Sequence, residues 1–96
     1  MSIESFDNFT HLLKSSNLLS KYGLEKIGVF GSFARGEEAN DIDIFIDNDE
    51  ISIESLYCFK SDLEEISEKK IDLVLKKYAN PIVLFRANKE MKYVNG

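Results

Sequence analysis

The sequence has one cysteine, one histidine, one proline and no tryptophan. Cys58 has no second thiol with which to form an internal disulfide, and its helix-like setting predicts a small core or half-buried residue. His11 is equally alone. With no pair of soft or imidazole ligands at metal spacing, a zinc site is not expected and any metal would have to be held by oxygen, which favours magnesium or manganese. Positive charge is also scarce: 12 Lys and Arg against 17 Asp and Glu leave a net charge of -5. That balance excludes a protein that grips long nucleic acid through a positive field, and a bound polyanion would need metal ions to help. No apolar run approaches the length of a bilayer span, and the start, MSIESFDNF, has neither a basic region nor an apolar signal core. No membrane is expected as a partner, and the expected location is the cytoplasm. No linker, repeat or low-complexity tract breaks the chain, so a single domain over residues 1–96 is expected. A chain of that size buries roughly 60 to 65% of its unfolded surface, enough for one modest core.

Hydrophobic residues make up 44% and charged residues 30%, the balance of a soluble globular fold rather than a disordered chain. Phe6, Phe9, Leu12 and Leu13 recur at helical spacing, with Ser2 or Ser5 as possible caps, and Leu18, Leu19 and Tyr22 extend the helical pattern to a C-terminal cap at Gly23. Lys26 to Phe30 reads as a short buried strand. Ser32 to Arg35 suits one helical turn with Ser32 at its start, and Gly36 to Asn40 is a polar loop. A second strand, Asp41 to Asp47, leads through an acidic turn to a helix from Ile53 to about Glu68. That helix packs Leu56, Phe59, Leu63 and Ile66 and solvates Lys60, Asp62, Glu64, Glu65 and Glu68. A third strand spans Lys70 to Leu75. Pro81 opens a last helix to about Lys89, and Lys92 to Val94 forms a short edge strand. The expected class is α+β, a mixed sheet of three or four strands packed with helices.

The chemistry concentrates between Ile27 and Asp47. Gly31 and Ser32 follow a buried strand, where backbone amides at a turn can approach anionic phosphate oxygens without a side chain in the way. The second strand has period two, so Asp41, Asp43 and Asp47 share one face while Ile42, Ile44 and Ile46 share the other. Asp41 and Asp43 lie about 6 to 7 Å apart along one strand, close enough for converging carboxylates to share magnesium. Asp72, on the third strand, repeats the setting of Asp43 and can complete a ligand set. A pair of metals there would clamp the entering and leaving oxygens of a phosphoryl or nucleotidyl transfer. Each piece has a bland alternative, since Gly-Ser turns are common and an Asp-x-Asp pair can decorate an exposed edge. Aspartate disfavours strands, however, and three on one side of two strands beside a glycine turn outweigh those alternatives. Arg35 either touches phosphate, which its guanidinium matches, or pairs with Asp43, Asp47 or a nearby glutamate to fix the loop.

Gly31-Ser32-Phe33-Ala34-Arg35-Gly36 followed by Asp41-Ile42-Asp43-Ile44 resembles the signature of the minimal nucleotidyltransferases of the DNA polymerase beta superfamily. The resemblance covers roughly Leu24 to Leu75. Two departures are Asn40, where the family commonly has serine, and a short loop from Gly36 to Asp41. The resemblance implies a nucleotide site at Gly31, Ser32 and Arg35, with Asp41 and Asp43 as ligands for two magnesium ions and Asp72 as the third carboxylate. It implies transfer of a nucleoside monophosphate, from ATP, to a hydroxyl acceptor with release of pyrophosphate. Minimal members are typically encoded with a helical HEPN-domain toxin, act as its antitoxin, and in some cases adenylylate its tyrosine. The expected assembly is a hetero-oligomer with that partner, and the apolar run Pro81-Ile82-Val83-Leu84-Phe85 is a modest hint of the interface. Two alternatives stay open: an antitoxin that neutralises by contact without catalysis, and a nucleotidyltransferase acting on a small molecule such as an aminoglycoside.

Overall fold

The computed structural model describes residues 6–37, 39–48 and 50–95. Ser2 and Ser5, the expected caps of the first helix, lie outside them. The elements follow in the order α1 (Phe6–Ser16), α2 (Leu18–Lys21), β1 (Lys26–Phe30), α3 (Gly31–Ala34), β2 (Asp41–Ile46), α4 (Ile53–Ser67), β3 (Lys70–Leu75), a 3-10 turn (Lys76–Tyr78), α5 (Pro81–Glu90) and β4 (Lys92–Asn95). Left-handed Asn17 separates α1 from α2, and α2 ends at left-handed Gly23, where the sequence placed its cap. Among the described residues no helix is long and apolar enough to cross a membrane.

The four strands form one mixed sheet in the order β3-β2-β1-β4. β1 pairs antiparallel with both β2 and β4, whereas β2 and β3 are parallel and joined through α4. Parallel pairing requires a crossover, and α4 supplies it. Its N-cap is Ser52, whose hydroxyl accepts from the Ser55 amide at 3.1 Å, and Glu68 ends it in the left-handed conformation. Asn80 caps α5 in the same manner, and Pro81 takes its first position.

Register fixes which side chains share a face. Ile27, Val29, Ile42, Ile44, Ile46, Ile71 and Val94 point to one side and are buried against Phe9 and Leu13 of α1 and Leu56, Phe59 and Leu63 of α4. Fully burying a side chain of this kind stabilises by about 1.5–3 kcal/mol, so this layer is the main source of stability. α4 presents Leu56, Phe59 and Leu63 at i, i+3 and i+7. Cys58 lies roughly 200° around the helix from Leu56 and is exposed, contrary to the half-buried position expected of it. Two residues of the supposedly solvated face of α4 are structural. Asp62 accepts from the Tyr22 hydroxyl at 2.5 Å, and Glu64 accepts from the Ile71 amide at 3.0 Å.

The opposite face carries Gly28 of β1, Asp41, Asp43 and Phe45 of β2, and Asp72 and Val74 of β3. It is not open along its whole length. Met91, just past α5, lies over Gly28 so closely that a Cβ there would collide with its sulfur, and Phe45 beside it is buried. The expected run of three aspartates on one face therefore stops at two on this strand. Asp47 lies beyond the end of β2 and pairs with Lys76 at 3.3 Å.

Candidate active site

The site is assembled where β1 ends and β2 and β3 begin. Phe30, in extended conformation, pairs with Asp43, and the next residue turns sharply into α3. Gly31 makes that turn with φ +80, and a Cβ on it would collide with a carboxylate oxygen of Asp43. Both facts require glycine: the left-handed conformation disfavours any side chain, and the backbone passes directly against the carboxylate. The helical turn begins at Gly31, one residue before the expected start at Ser32. The first amides of such a turn have no acceptor within it and face outward.

Asp43 and Asp72 are direct register partners on parallel neighbouring strands, so their side chains leave the sheet on the same face. Asp41, two residues before Asp43, shares that face and is exposed, while Asp43 and Asp72 are half-buried. Burial pushes the Asp43 carboxyl above its usual range, and the charges of Asp72 and then Asp41 push it further. Asp43 thus senses the charges of both neighbouring carboxylates. Among the described residues no three acidic, histidine or cysteine side chains are drawn into a ready-made ligand cage. Uncompensated like charges repel, and a cation between them would relieve the strain on Asp43, so the donor set fits an oxygen-ligated divalent ion.

Arg35 is paired with two glutamates. Its guanidinium donates to Glu37 at 2.5 Å and to both carboxylate oxygens of Glu90 at 2.8 and 2.9 Å, tying the end of α3 to the end of α5. These bonds, Glu37 foremost, hold its pKa above the ordinary value. Asp43 and Asp47 are not among these partners.

Two positioning residues escaped the reading of the sequence. Lys69 donates from its ammonium to the Ala39 carbonyl at 2.7 Å, and the neighbouring Lys70 amide donates to the Asn40 carbonyl at 3.2 Å. These bonds anchor the loop entering β2 immediately before Asp41. Glu64, through the Ile71 amide, fixes β3 one residue before Asp72. Spacing carries no signal for either, since Lys69 reaches back 30 residues to Ala39 and Glu64 bonds across the turn from α4 into β3.

The sequence matches the family described as "Polymerase beta, Nucleotidyltransferase" over residues 14–94. It is 35% identical over 80 residues to the protein adenylyltransferase MntA of Thermococcus cleftensis, covering 80% of this chain and 81% of that one. The fold is similar to a crystal structure of a toxin-antitoxin with AMP-PNP, with a TM-score of 0.69 and 24% identity over 86% of this chain and 71% of the other. It is also similar to a chain in the structure of a tri-AMPylated Shewanella oneidensis HEPN toxin in complex with an MNT antitoxin. There the TM-score is 0.66, with 22% identity over 91% and 72% of the two chains.

Proposed function

The chain belongs to the polymerase beta nucleotidyltransferase family and is a nucleotidyltransferase, and we propose that it transfers adenylate from ATP to a tyrosine hydroxyl of a HEPN-domain toxin, serving as that toxin's antitoxin in the cytoplasm. The observation that carries this reading is the register pair Asp43–Asp72 beside Asp41 and against Gly31. Support for a protein acceptor comes from the related MntA, a protein adenylyltransferase, and support for a HEPN partner from the similarly folded antitoxin bound to an AMPylated HEPN toxin.

Asp41 and Asp43 would hold two magnesium ions, with Asp72 completing the ligand set. Magnesium held by these residues would supply charge that neutralises the triphosphate and the departing pyrophosphate. Gly31 and Ser32 orient the triphosphate through backbone amides at the turn. Asp72 takes the proton of the acceptor hydroxyl. The hydroxyl oxygen then bonds to the α-phosphorus as the bond from that phosphorus to the β-bridging oxygen breaks, releasing pyrophosphate. Arg35 acts through position, holding α3 and its glycine turn against α5. Catalysis on this plan is chiefly placement and charge compensation.

The test is intact-mass spectrometry of a purified HEPN-domain protein after incubation with the chain, ATP and magnesium. One or more added adenylates are expected, and none with the Asp41→Asn/Asp43→Asn variant. An unmodified partner that is still neutralised by the double variant would identify a contact antitoxin instead. Nucleotide transfer to an aminoglycoside without any partner would identify a small-molecule enzyme.

A further inference from the structure

β3 is an edge strand of six residues, and β2 alone pairs with it in the sheet. A slip of one residue along β2 would turn the Asp72 side chain to the other face, away from Asp43. Both strands are tied to one short junction after α4. Ser67, the last residue of α4, is fully buried, and its hydroxyl accepts from the Lys69 amide at 3.2 Å. Glu68 between them takes the left-handed conformation that turns the chain. Lys69 is thereby held half-buried with its ammonium 2.7 Å from the Ala39 carbonyl, and the Lys70 amide donates to the Asn40 carbonyl at 3.2 Å. The two carbonyls that precede Asp41 are thus held by two successive residues of the junction.

The same junction holds Asp72. Successive residues of a strand direct their amides to opposite sides, so with Lys70 donating toward β2 the Ile71 amide faces out of the sheet edge. Half-buried Glu64 takes it, a carboxylate oxygen accepting at 3.0 Å. An outward amide at an edge is ordinarily satisfied by water, and that option remains when the carboxylate is removed, so the larger consequence of the bond is position. We propose that Lys69 and Glu64 are positioning residues for nucleotidyl transfer: by fixing the starts of β2 and β3 against one junction, they set the placement of Asp41 and Asp43 relative to Asp72, and hence the affinity of the site for its divalent cation. This inference rests on the reading of the three carboxylates as one cation site. Magnesium demands near-ideal octahedral geometry at about 2.0–2.1 Å, so a small shift between the two strands is felt in affinity and rate.

Lys69→Met keeps the side-chain stem and removes the donor, while Lys69→Arg keeps a donor. Glu64→Ala removes the acceptor, and Glu64→Gln keeps one. Melting curves by circular dichroism identify a temperature at which the variants are folded, and should Lys69→Met fail to fold, the Glu64 pair decides. At that temperature manganese binding is read by electron paramagnetic resonance with a non-hydrolysable ATP analogue present, and transfer to a purified HEPN-domain protein is read at saturating magnesium. Lys69→Met and Glu64→Ala are each expected to weaken manganese binding about 10-fold and to lower kcat about 10- to 100-fold, while the KM for the acceptor holds. Lys69→Arg and Glu64→Gln are expected to restore both. Folded Met and Ala variants that melt earlier, yet bind manganese and turn over as the wild type does, would reduce the two residues to a structural role and overturn the inference. Equal losses in the Arg and Gln variants would overturn it as well. Manganese binding that weakens in the Met and Ala variants, when the wild type binds manganese but modifies no HEPN-domain protein, would support the inference and refute the acceptor.

Discussion

Replacing Asp43 by asparagine is expected to stabilise the protein while abolishing its activity, a combination that separates a functional carboxylate from a structural one. Asp43 faces Asp72 directly across β2 and β3, with Asp41 two residues away. Strands lie about 4.8 Å apart, and two half-buried charges at that separation, discounted for screening by solvent, repel by about 1 kcal/mol. Asparagine keeps the shape and removes the charge. In a domain of this size about 1 kcal/mol corresponds to a rise in Tm of about 4–8 °C. The pH dependence has a definite sign. Asp43 has its folded pKa raised by burial and by its two neighbours, so the folded state holds this proton more tightly than the unfolded state. Its contribution to stability is greatest at acid pH and declines as pH rises from the unfolded carboxylate value near ~4 through the folded value. Scanning calorimetry of wild type and Asp43→Asn, without divalent cations and across that interval, isolates the difference. The variant's advantage in Tm should grow with pH and then level off, while adenylate transfer falls at least about 100-fold. A variant less stable than wild type at neutral pH, or a Tm difference indifferent to pH, would refute the reasoning.

Gly31→Ala places a methyl group against the Asp43 carboxylate in a left-handed backbone. It should cost about 1–3 kcal/mol of stability in urea unfolding and lower kcat/KM for ATP at least tenfold. Arg35→Ala breaks the ties to Glu37 and Glu90, and should leave the KM for ATP within about threefold of wild type, because its guanidinium is committed to carboxylates rather than phosphate. Tyr22→Phe removes the hydroxyl that donates to Asp62. Asp62 has its pKa lowered, first by that bond and then by Lys21, so the stability it brings is present above the unfolded carboxylate value and lost as pH falls through the folded one. The variant should melt below wild type at neutral pH, and the gap should close in acid.

Alternation carried much of the fold. Isoleucines at 42, 44 and 46 and the apolar positions of β3 placed both strands at their observed starts, and Asp41, Asp43 and Asp72 occupy the sides that period two assigns them. The register that makes Asp43 and Asp72 partners is a property of the parallel pairing through α4, which spacing within one strand does not contain. The same limit explains the errors. Asp47 follows the period, but β2 ends before it and Lys76 draws it away. Phe45 shares the aspartate face and is nonetheless buried, and Met91, some 46 positions on, closes over its register partner Gly28. Cys58 was placed by residue type, and its angle around α4 decided otherwise. Glu64 reads from the sequence as solvated charge, and its bond to the Ile71 amide of β3, like that of Lys69 to the Ala39 carbonyl, appears only once the chain is folded.

Paramagnetic broadening of backbone amide resonances by substoichiometric manganese, read in the presence of a non-hydrolysable ATP analogue, tests most directly whether the three carboxylates form one cation and nucleotide site. The account predicts broadening centred on residues 31–32, 41–43 and 71–73, and its loss in Asp41→Asn/Asp43→Asn. Broadening centred instead on the acidic turn around Asp47 and Glu50, or surviving unchanged in the double variant, would contradict it.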